Sequence, residues 1–228
     1  MLTKKKKLSR KEIKEDKLVE FYYKSLKFFD QNKQKVLMYA GIFLAAILLV
    51  YFFIYQKSQQ NEQAGIHLGA IINSFNAGAY LEAIEGKEDQ GLMGLKQIVA
   101  EYGGTENGET AKIYLADAYS LLGNYEEAYK YYKDYDGSID FFKAASFAGQ
   151  AAYFASKGDY QQAADLYLKA ASVSETVPSN PDNLLLAAKY YIETGENQTA
   201  KELLDRITEK YKQSAASREV GKYYVFVD

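Results

Sequence analysis

Residues 111–135, AKIYLADAYSLLGNYEEAYKYYKDY, decide the fold of this chain, because their pattern recurs twice downstream. The related segments are SFAGQAAYFASKGDYQQAADLYLKA at 146–170 and LLLAAKYYIETGENQTAKELLDRI at 184–207. In each segment a small residue precedes a glycine by seven positions, and an alanine follows that glycine by five. These offsets predict repeated helical hairpins, in which the glycine ends the first helix and the alanines let two helices approach closely. The repeat-defining residues are Ala116, Gly123, Tyr125, Ala128, Ala151, Gly158, Tyr160, Ala163, Ala188, Gly195 and Ala200.

The hairpins resemble tetratricopeptide repeats. Their glycines lie 35 and 37 residues apart, close to the ~34-residue period of such an array. Gly-x-Tyr-x-x-Ala is intact in the first two segments, whereas Asn197 replaces the tyrosine in the third. Asn180 is predicted to cap the first helix of the third segment, and Pro181 is predicted to occupy the first position of that helix. A lone hairpin cannot bury its apolar face, so the units must stack. We expect hairpins at about 109–136, 144–174 and 181–212, and a helical or strand-like cap over 214–228.

A further, degenerate hairpin is expected upstream, at about 63–103. The stretch GLKQIVAEY resembles a second helix, with Gly94 and Ile98 at the small and large positions. Its first helix is predicted over roughly Gln63 to Ile84, which makes EGKEDQGLMG a lengthened turn.

The apolar run VLMYAGIFLAAILLVYFFIY, residues 36–55, predicts a transmembrane helix. At about 1.5 Å rise per residue it is about 30 Å long, the thickness of the hydrocarbon core of a bilayer. A buried core helix of this length would show a polar face, and a secretory signal would be shorter and followed by a small-x-small cleavage site. Twelve Lys and Arg precede the run, but Lys57 is the one basic residue just after it. The positive-inside rule therefore predicts a cytoplasmic N-terminus and repeats across the membrane.

The segment before the span combines basic residues with an amphipathic pattern. Residues 1–35 contain twelve basic and five acidic residues, whereas the rest of the chain contains 16 and 25. The cluster Lys4 to Lys7 is interpreted as a topogenic element that contacts anionic lipid rather than nucleic acid. Apolar residues then recur every three to five positions, which predicts an amphipathic helix on the inner leaflet or against a membrane partner. These residues are Ile13, Leu18, Phe21, Tyr22, Phe28 and Phe29.

These patterns together predict an all-α fold. An N-terminal amphipathic segment (1–35) and one transmembrane helix (36–55) are expected to precede the repeat domain (56–228). The repeat domain is expected to be a right-handed α-solenoid of about four tetratricopeptide-like hairpins.

The composition offers little for catalysis. Cysteine is absent, which excludes thiolate metal sites, a cysteine nucleophile and a lipoprotein anchor. The single histidine, His67, is interpreted as a packing or surface residue, and the acidic runs lack the spacing of a calcium loop. The sequence has no Gly-rich phosphate loop and no Gly-x-Ser-x-Gly. We therefore expect a non-enzymatic protein with no catalytic, cofactor-binding or metal-binding residues, and no nucleic-acid partner.

A binding surface is predicted on the concave wall formed by the first helices. This wall is mostly small and apolar, which suits a hydrophobic helix or an extended segment. Alternatively, a terminal helix of the chain itself fills it. By analogy with tetratricopeptide geometry, the residues expected to face the wall are Ile113, Asp117, Ser120, Ala148, Ala152, Ala155, Leu185, Lys189 and Ile192.

The layout resembles the YfgM family, ancillary subunits of the bacterial Sec translocon, over nearly the whole chain. The resemblance rests on Glu15-Asp16, then Phe28-Phe29-x-x-Asn32, then the span and the repeats. It implies an inner-membrane protein with a periplasmic repeat domain, whose partners are a SecY-type channel and a PpiD-like membrane-anchored chaperone. Phe28, Phe29 and Asn32 would then recognise a protein partner, and exported polypeptides would pass to periplasmic chaperones. The lysine-rich N-terminus and the high tyrosine content depart from the better-known members.

Two other functions fit the same residues. One is a scaffold or assembly factor of another bacterial envelope complex, for secretion or cell division. The other is an import receptor of the mitochondrial outer-membrane type. An import receptor requires the repeats in the cytosol, so the orientation of the chain in the membrane distinguishes this function from the translocon subunit and the envelope scaffold.

Overall fold

A computed structural model describes residues 10–227. The basic cluster Lys4 to Lys7 and Asp228, the last residue of the predicted cap, lie outside these residues. The chain divides into two compact units, Met1–Gln56 and Lys57–Asp228. Apart from one two-stranded hairpin, the regular structure of the described residues is helical, which confirms the all-α prediction.

Helix α1, Arg10–Asn76, supplies the regular structure of the first unit and the first helix of the second. It is interrupted at Asn32, whose backbone angles (φ −120°, ψ 16°) are not helical. The side-chain amide of Asn32 donates a hydrogen bond of 3.0 Å to the carbonyl of Phe28. A polar side chain therefore enters the backbone ladder at the kink. Within residues 10–227, α1 is the one helix long and apolar enough to cross a membrane, and its apolar window is unburied.

After α1, the second unit is built from short elements joined by tight turns: α2 (Tyr80–Glu85), β1 (Gly86–Lys87), β2 (Leu92–Met93), α3 (Leu95–Tyr102), α4 (Glu106–Leu121), α5 (Tyr125–Asp134), α6 (Asp140–Ser156), α7 (Tyr160–Ala171), α8 (Asn180–Thr194), α9 (Asn197–Lys210) and α10 (Ala215–Glu219). From α3 to α9 each helix packs on the next one in the chain. The helices therefore form a consecutive array.

Four glycines end a first helix with the same turn. Gly78, Gly123 and Gly158 have φ 78°, and Gly195 has φ 83°. This left-handed region is costly for residues with a Cβ atom. In each turn the glycine N–H donates to the carbonyl three residues back, and the following N–H donates to the carbonyl five residues back. The turn thereby satisfies carbonyls at the end of the first helix.

The first hairpin differs from the sequence prediction. Its turn lies at Gly78, because α1 continues to Asn76 and α2 begins at Tyr80. The stretch EGKEDQGLMG is not this turn, since it contains the antiparallel hairpin of β1 and β2 between α2 and α3. Ala83, five residues after the turn glycine, occupies the small-residue position of the second helix, which was predicted for Gly94.

The chain leaves the second helix of the first hairpin at Gly86 and returns to nearly the same point at Gly94. A Cβ atom on Gly94 would lie 2.3 Å from the carbonyl carbon of Glu85 and 2.4 Å from the amide nitrogen of Gly86. Only glycine fits at so close a backbone approach. The hairpin is therefore an insertion into one helix, with α2 before it and α3 after it.

The spacing of the turns agrees with such an insertion. The first two turn glycines are 45 residues apart, but without residues 86–93 the spacing becomes 37, the same as between the last two. In the shortened count Leu95 falls four positions after Ala83. The other units carry a large buried side chain at that position.

Small residues and large apolar side chains together form the core. The alanines at the repeat-defining positions are all buried, as expected for closely packed helix pairs. One cluster joins Leu68 and Ile71 of α1 to Leu115 of α4. A second contains Tyr132, and a third, around Leu204, closes the C-terminal end of the array.

Tyrosine rings stack on the faces where helices meet. Tyr129 of α5 stacks on Tyr153 of α6 with ring centroids 4.3 Å apart. Tyr190 of α8 stacks on Tyr167 of α7 at 5.8 Å. Offset-stacked aromatic pairs add to the energy of burial, so the many tyrosines contribute to packing between consecutive hairpins.

The start of α8 and the tail refine two predictions. Ser179 precedes α8, so Asn180 is its first residue and Pro181 its second. Asn180 is buried and donates to the carbonyl of Ser174 at 2.7 Å, so it does not cap the helix as predicted. The tail forms α10 and two 3-10 turns, Val220–Lys222 and Tyr224–Phe226, and is therefore not strand-like.

Candidate protein-binding surface

The predicted wall is carried by α4, α6 and α8. Seven of the nine predicted residues are half-buried, so part of each side chain remains accessible: Asp117, Ser120, Ala148, Ala152, Ala155, Lys189 and Ile192. The three alanines belong to α6. Along the chain, α6 lies between α4, which carries Asp117, and α8, which carries Lys189. We call these seven residues the wall.

Ile113 and Leu185 do not belong to the accessible surface, and the prediction that they face it is wrong. Ile113 is 1% exposed and packs in the cluster that contains Ala128 and Tyr132 of α5. Leu185 is 8% exposed and packs in the cluster that contains Tyr167 of α7. Each of these first-helix residues is covered because a second helix packs over it.

Asp117 is the acidic member of the wall, and Tyr132 holds it. The Tyr132 hydroxyl donates a short hydrogen bond to Oδ1 of Asp117. The ring of Tyr132 is held in turn by α6, where a Cβ atom on Gly149 would lie 2.3 Å from it. Burial raises the pKa of the Asp117 carboxyl, and the hydrogen bond from Tyr132 opposes that rise. Burial also raises the pKa of Tyr132, so the phenol stays protonated and remains a donor.

Lys189 is the basic member of the wall, and the C-terminal segment reaches it. Its Nζ lies 5.8 Å from the ring centroid of Tyr223, within the range of a cation–π contact. Helix α10 also packs on α8. The tail therefore occupies part of the surface at this end of the wall, whereas the half-buried alanines of α6 stay accessible.

The buried Lys112 links the start of α4 to the end of α5 through ion pairs with the buried Glu109 and the exposed Asp134. Lys112 Nζ lies 2.8 Å from Glu109 Oε1 and 2.8 Å from Asp134 Oδ2. Glu109 also accepts the backbone N–H of Asp136 at 2.8 Å. Burial lowers the pKa of Lys112, but its hydrogen bonds to Asp134 and Glu109 outweigh this and raise the pKa overall. The pair of Lys112 and Asp134 connects α4 with α5, and sequence spacing alone does not predict it.

No candidate metal site is found in the part of the chain that the structure describes. Among those residues no group of three or more His, Cys, Asp or Glu side chains is placed to hold a metal ion. His67 stacks on Tyr102 with ring centroids 6.0 Å apart, in agreement with a packing role.

The residues predicted to recognise a partner, just before the predicted span, lie around the kink in α1. Phe28 and Phe29 are exposed, and Asn32 forms the kink itself. An apolar hollow of about 530 Å³ lies beside them, lined by Phe21, Lys24, Ser25, Phe28, Phe29 and Val36. The structure thus brings the Phe-Phe-x-x-Asn residues together on one local feature of the first unit.

Comparison with known proteins agrees with the hairpins and turns described above. Residues 154–219 match the tetratricopeptide repeat family. The fold is similar to the solved structure of TPR-like repeats from a kinesin light chain of Podosopora anserina, with a TM-score of 0.52 and 21% identity, over 75% of this chain and 86% of that one. No curated protein matches the sequence. The tetratricopeptide match contains the turns at Gly158 and Gly195, two of the three found from sequence.

Proposed function

We propose that this chain is a non-enzymatic, membrane-anchored scaffold that holds a polypeptide partner on its wall. Tetratricopeptide repeats indicate a scaffold for protein–protein interaction, because stacked hairpins create an extended surface. The observation that supports the proposal is that seven of the predicted wall residues are half-buried and mostly small or apolar, with Asp117 on α4 and Lys189 on α8. Such a surface accommodates an apolar segment of a partner and orients it through its two charges.

The wall is tested by filling it. Ala152→Arg places a long cationic side chain on α6, and we expect cross-linking of a nascent exported polypeptide to fall at least about fivefold, roughly 1 kcal/mol of binding. Gln161→Arg, at an exposed position on α7, is the matched control and is expected to leave cross-linking unchanged. Equal cross-linking to both variants would show that the partner does not use the wall.

The same proposal assigns the chain's topology. The apolar window of α1 supports a single span, and the basic excess before it supports a cytoplasmic N-terminus. The second unit is proposed as a right-handed solenoid of about four hairpins (63–103, 109–136, 144–174, 181–212) on the periplasmic side of a bacterial inner membrane. In sealed inner-membrane vesicles of known orientation, we expect protease added from the periplasmic side to degrade the repeats. Degradation from the cytoplasmic side would instead favour a receptor of the mitochondrial import type.

Association with the Sec translocon is the finer part of the proposal. It is supported by the order of Phe28-Phe29-x-x-Asn32, span and repeats, and by the exposure of both phenylalanines. A pull-down in mild detergent is expected to recover a SecY-type channel and a PpiD-like chaperone. Replacing Phe28 and Phe29 by Ala is expected to weaken recovery without releasing the chain from membranes. Recovery of another envelope machine without the channel would replace the translocon by that machine.

A further inference from the structure

A patch of exposed leucines lies where the first two hairpins turn. Leu81 is 68% exposed, Leu121 58% and Leu122 36%, and Tyr125, three residues after Leu122, is 43% exposed. We call these four residues the leucine patch. Single exposed apolar residues are common on protein surfaces, but clustered ones mark interaction sites.

An open hollow lies beside Leu81 and Leu122 of the patch. It has a volume of about 330 Å³ and lies between the turn of the first hairpin and the end of α4. The space above Gly78 is open, since a Cβ atom there would meet no atom within 4 Å. The lining residues are Gly78, Ala79, Tyr80, Leu81, Glu82 and Leu122. Its volume is at the lower end of ligand pockets, which suits one or two bulky side chains.

The repeat fold does not require these leucines. Positions can be compared by counting from the turn glycine of each hairpin, because the four turns share one geometry. The third and fourth hairpins carry polar residues at all three positions: Gln161 and Gln198 for Leu81, Ser156 and Glu193 for Leu121, and Lys157 and Thr194 for Leu122. A packing requirement would apply to every hairpin, so the leucines serve a purpose specific to the first two.

The area of the patch limits what covers it. The exposed surface of the four side chains is on the order of 400 Å², within the range of the largest patch on a typical monomer. A stable dimer buries about 800 Å² on each partner, so a second copy of the chain is a poor fit. A short segment that inserts a side chain into the hollow matches the available area.

The nearest charges are already paired. Glu82 accepts the Ser74 hydroxyl at 2.7 Å and lies 2.9 Å from Lys87. Glu126 is paired with Lys157. The hydrogen bonds from Lys87 and Ser74 lower the pKa of Glu82, so this carboxylate stays ionised and paired. The rim therefore presents balanced charges, and apolar contact dominates recognition.

We propose that the leucine patch is a second docking site, separate from the wall, for a short segment of a partner protein that presents Leu, Ile or Phe. The segment places one such side chain in the hollow and a second against Leu121 and Tyr125. The site adds a second contact to any partner held on the wall, and two linked contacts bind more tightly than either alone.

The experiment uses the full chain in nanodiscs and a fluorescent Leu/Lys amphipathic peptide that carries photo-leucine. The same peptide with every Leu replaced by Ser measures charge attraction alone. The test variant Leu81→Gln, Leu121→Ser, Leu122→Lys carries the residues of the third hairpin, which that fold already tolerates. Val225→Ser, a change of an apolar residue 76% exposed elsewhere, is the control.

We expect the peptide to bind the unaltered chain at least tenfold more tightly than its Ser counterpart, with cross-links at 78–82 and 121–125. The triple variant should lose that tenfold, whereas Val225→Ser and the wall variant Ala152→Arg should retain it. Cross-links on the wall, equal binding by the triple variant, or no preference over the Ser peptide would each overturn the proposal. Circular dichroism of the triple variant confirms that its repeats remain folded.

Discussion

Asp117, a residue of the proposed wall, also takes part in the packing between two hairpins. Its carboxylate is bound by Tyr132, whose ring packs against Gly149 of the next hairpin. The carboxylate thus connects the accessible surface with the junction of two hairpins. Because burial disfavours its charge, Asp117 binds a proton more readily in the folded chain than in the unfolded chain.

Asp117→Asn is predicted to change how stability depends on pH. A pKa raised above its ordinary value of 3.8 favours folding at low pH, and this stabilisation is lost as the pH rises through the folded pKa. Asparagine has no such charge and can still accept the Tyr132 hydroxyl. We expect the Tm of the variant to match the unaltered chain near pH 3.5 and to exceed it by on the order of 2 °C at pH 7. Calorimetry across this range checks it.

The comparison for Asp117→Asn is Asp89→Asn, at an exposed position of the inserted β-hairpin. Its melting profile should run parallel to that of the unaltered chain at every pH. A difference in Tm between Asp117→Asn and the unaltered chain that is the same at every pH would contradict the effect of burial on the Asp117 carboxyl.

Exposure of single residues was the part of the site that the sequence predicted least well. Asp117 and Lys189 are half-buried on first helices, whereas Ile113 and Leu185 are core residues. Helical periodicity gives the direction of a side chain around its own helix. It does not give the depth to which a neighbouring second helix covers that direction, and α5 and α7 cover these two.

At the scale of elements, the turn glycines are the most constrained positions. Gly158 has φ 78° with no other atom near the Cβ position, so backbone conformation alone penalises a substitution. Gly158→Val is predicted to destabilise the second unit by about 1–2 kcal/mol, because a β-branched residue is strained at positive φ. Denaturant unfolding monitored by circular dichroism measures the change.

Gly221→Val is the matched change for the turn, since Gly221 also has open space around its Cβ position but no positive φ. We expect Gly221→Val to lower the free energy of unfolding by well under half as much as Gly158→Val does. Similar losses at the two sites would mean that the left-handed turn is not what Gly158 provides.

The inserted β-hairpin leads to a second prediction for an element. Gly94 lies almost where Gly86 leaves the helix, so deletion of residues 86–93 should join α2 and α3 into one helix in the register of the other units. We expect the shortened chain to fold, with higher helical content per residue and a Tm equal to or above that of the original. Deletion of the eight residues 95–102, which removes α3, is the control and should unfold the first hairpin. Loss of structure in the 86–93 deletion would contradict the insertion.

The sequence located three of the four turns and missed the first. Gly78, Tyr80 and Ala83 carry the same Gly-x-Tyr-x-x-Ala pattern as the second and third hairpins. The signal was therefore present, but the insertion displaced the large residue to Leu95 and lengthened the period to 45 residues. An insertion breaks the fixed period of an array but leaves the turn motif intact, so the motif at Gly78 indicates this hairpin where the period does not.

At the scale of the whole molecule, the boundary of the repeat unit is predicted to lie before Lys57 and not at the end of α1. Leu68 and Ile71 of α1 are buried in the first core cluster. A fragment of residues 57–228 should therefore fold cooperatively without the apolar segment of α1. A fragment of residues 77–228 loses both side chains and should be less stable by more than about 4 kcal/mol, since each large core deletion costs about 2–5 kcal/mol.

Urea unfolding of the two fragments, compared at equal concentration, tests this boundary. A comparable midpoint for both would show that the first helix is dispensable to the core. Aggregation of the longer fragment alone would show that it needs the span for folding.

The tyrosine stacks give the molecule an optical property. The chain has 22 tyrosines and no tryptophan, so its near-ultraviolet circular dichroism comes mainly from phenol rings. The stacked pair of Tyr129 and Tyr153 lies at the junction of α5 with α6, and the pair of Tyr167 and Tyr190 at the junction of α7 with α8. Rings held this closely couple their electronic transitions, and the coupling vanishes when the helices separate. The spectrum therefore records, without any added label, whether neighbouring hairpins are docked.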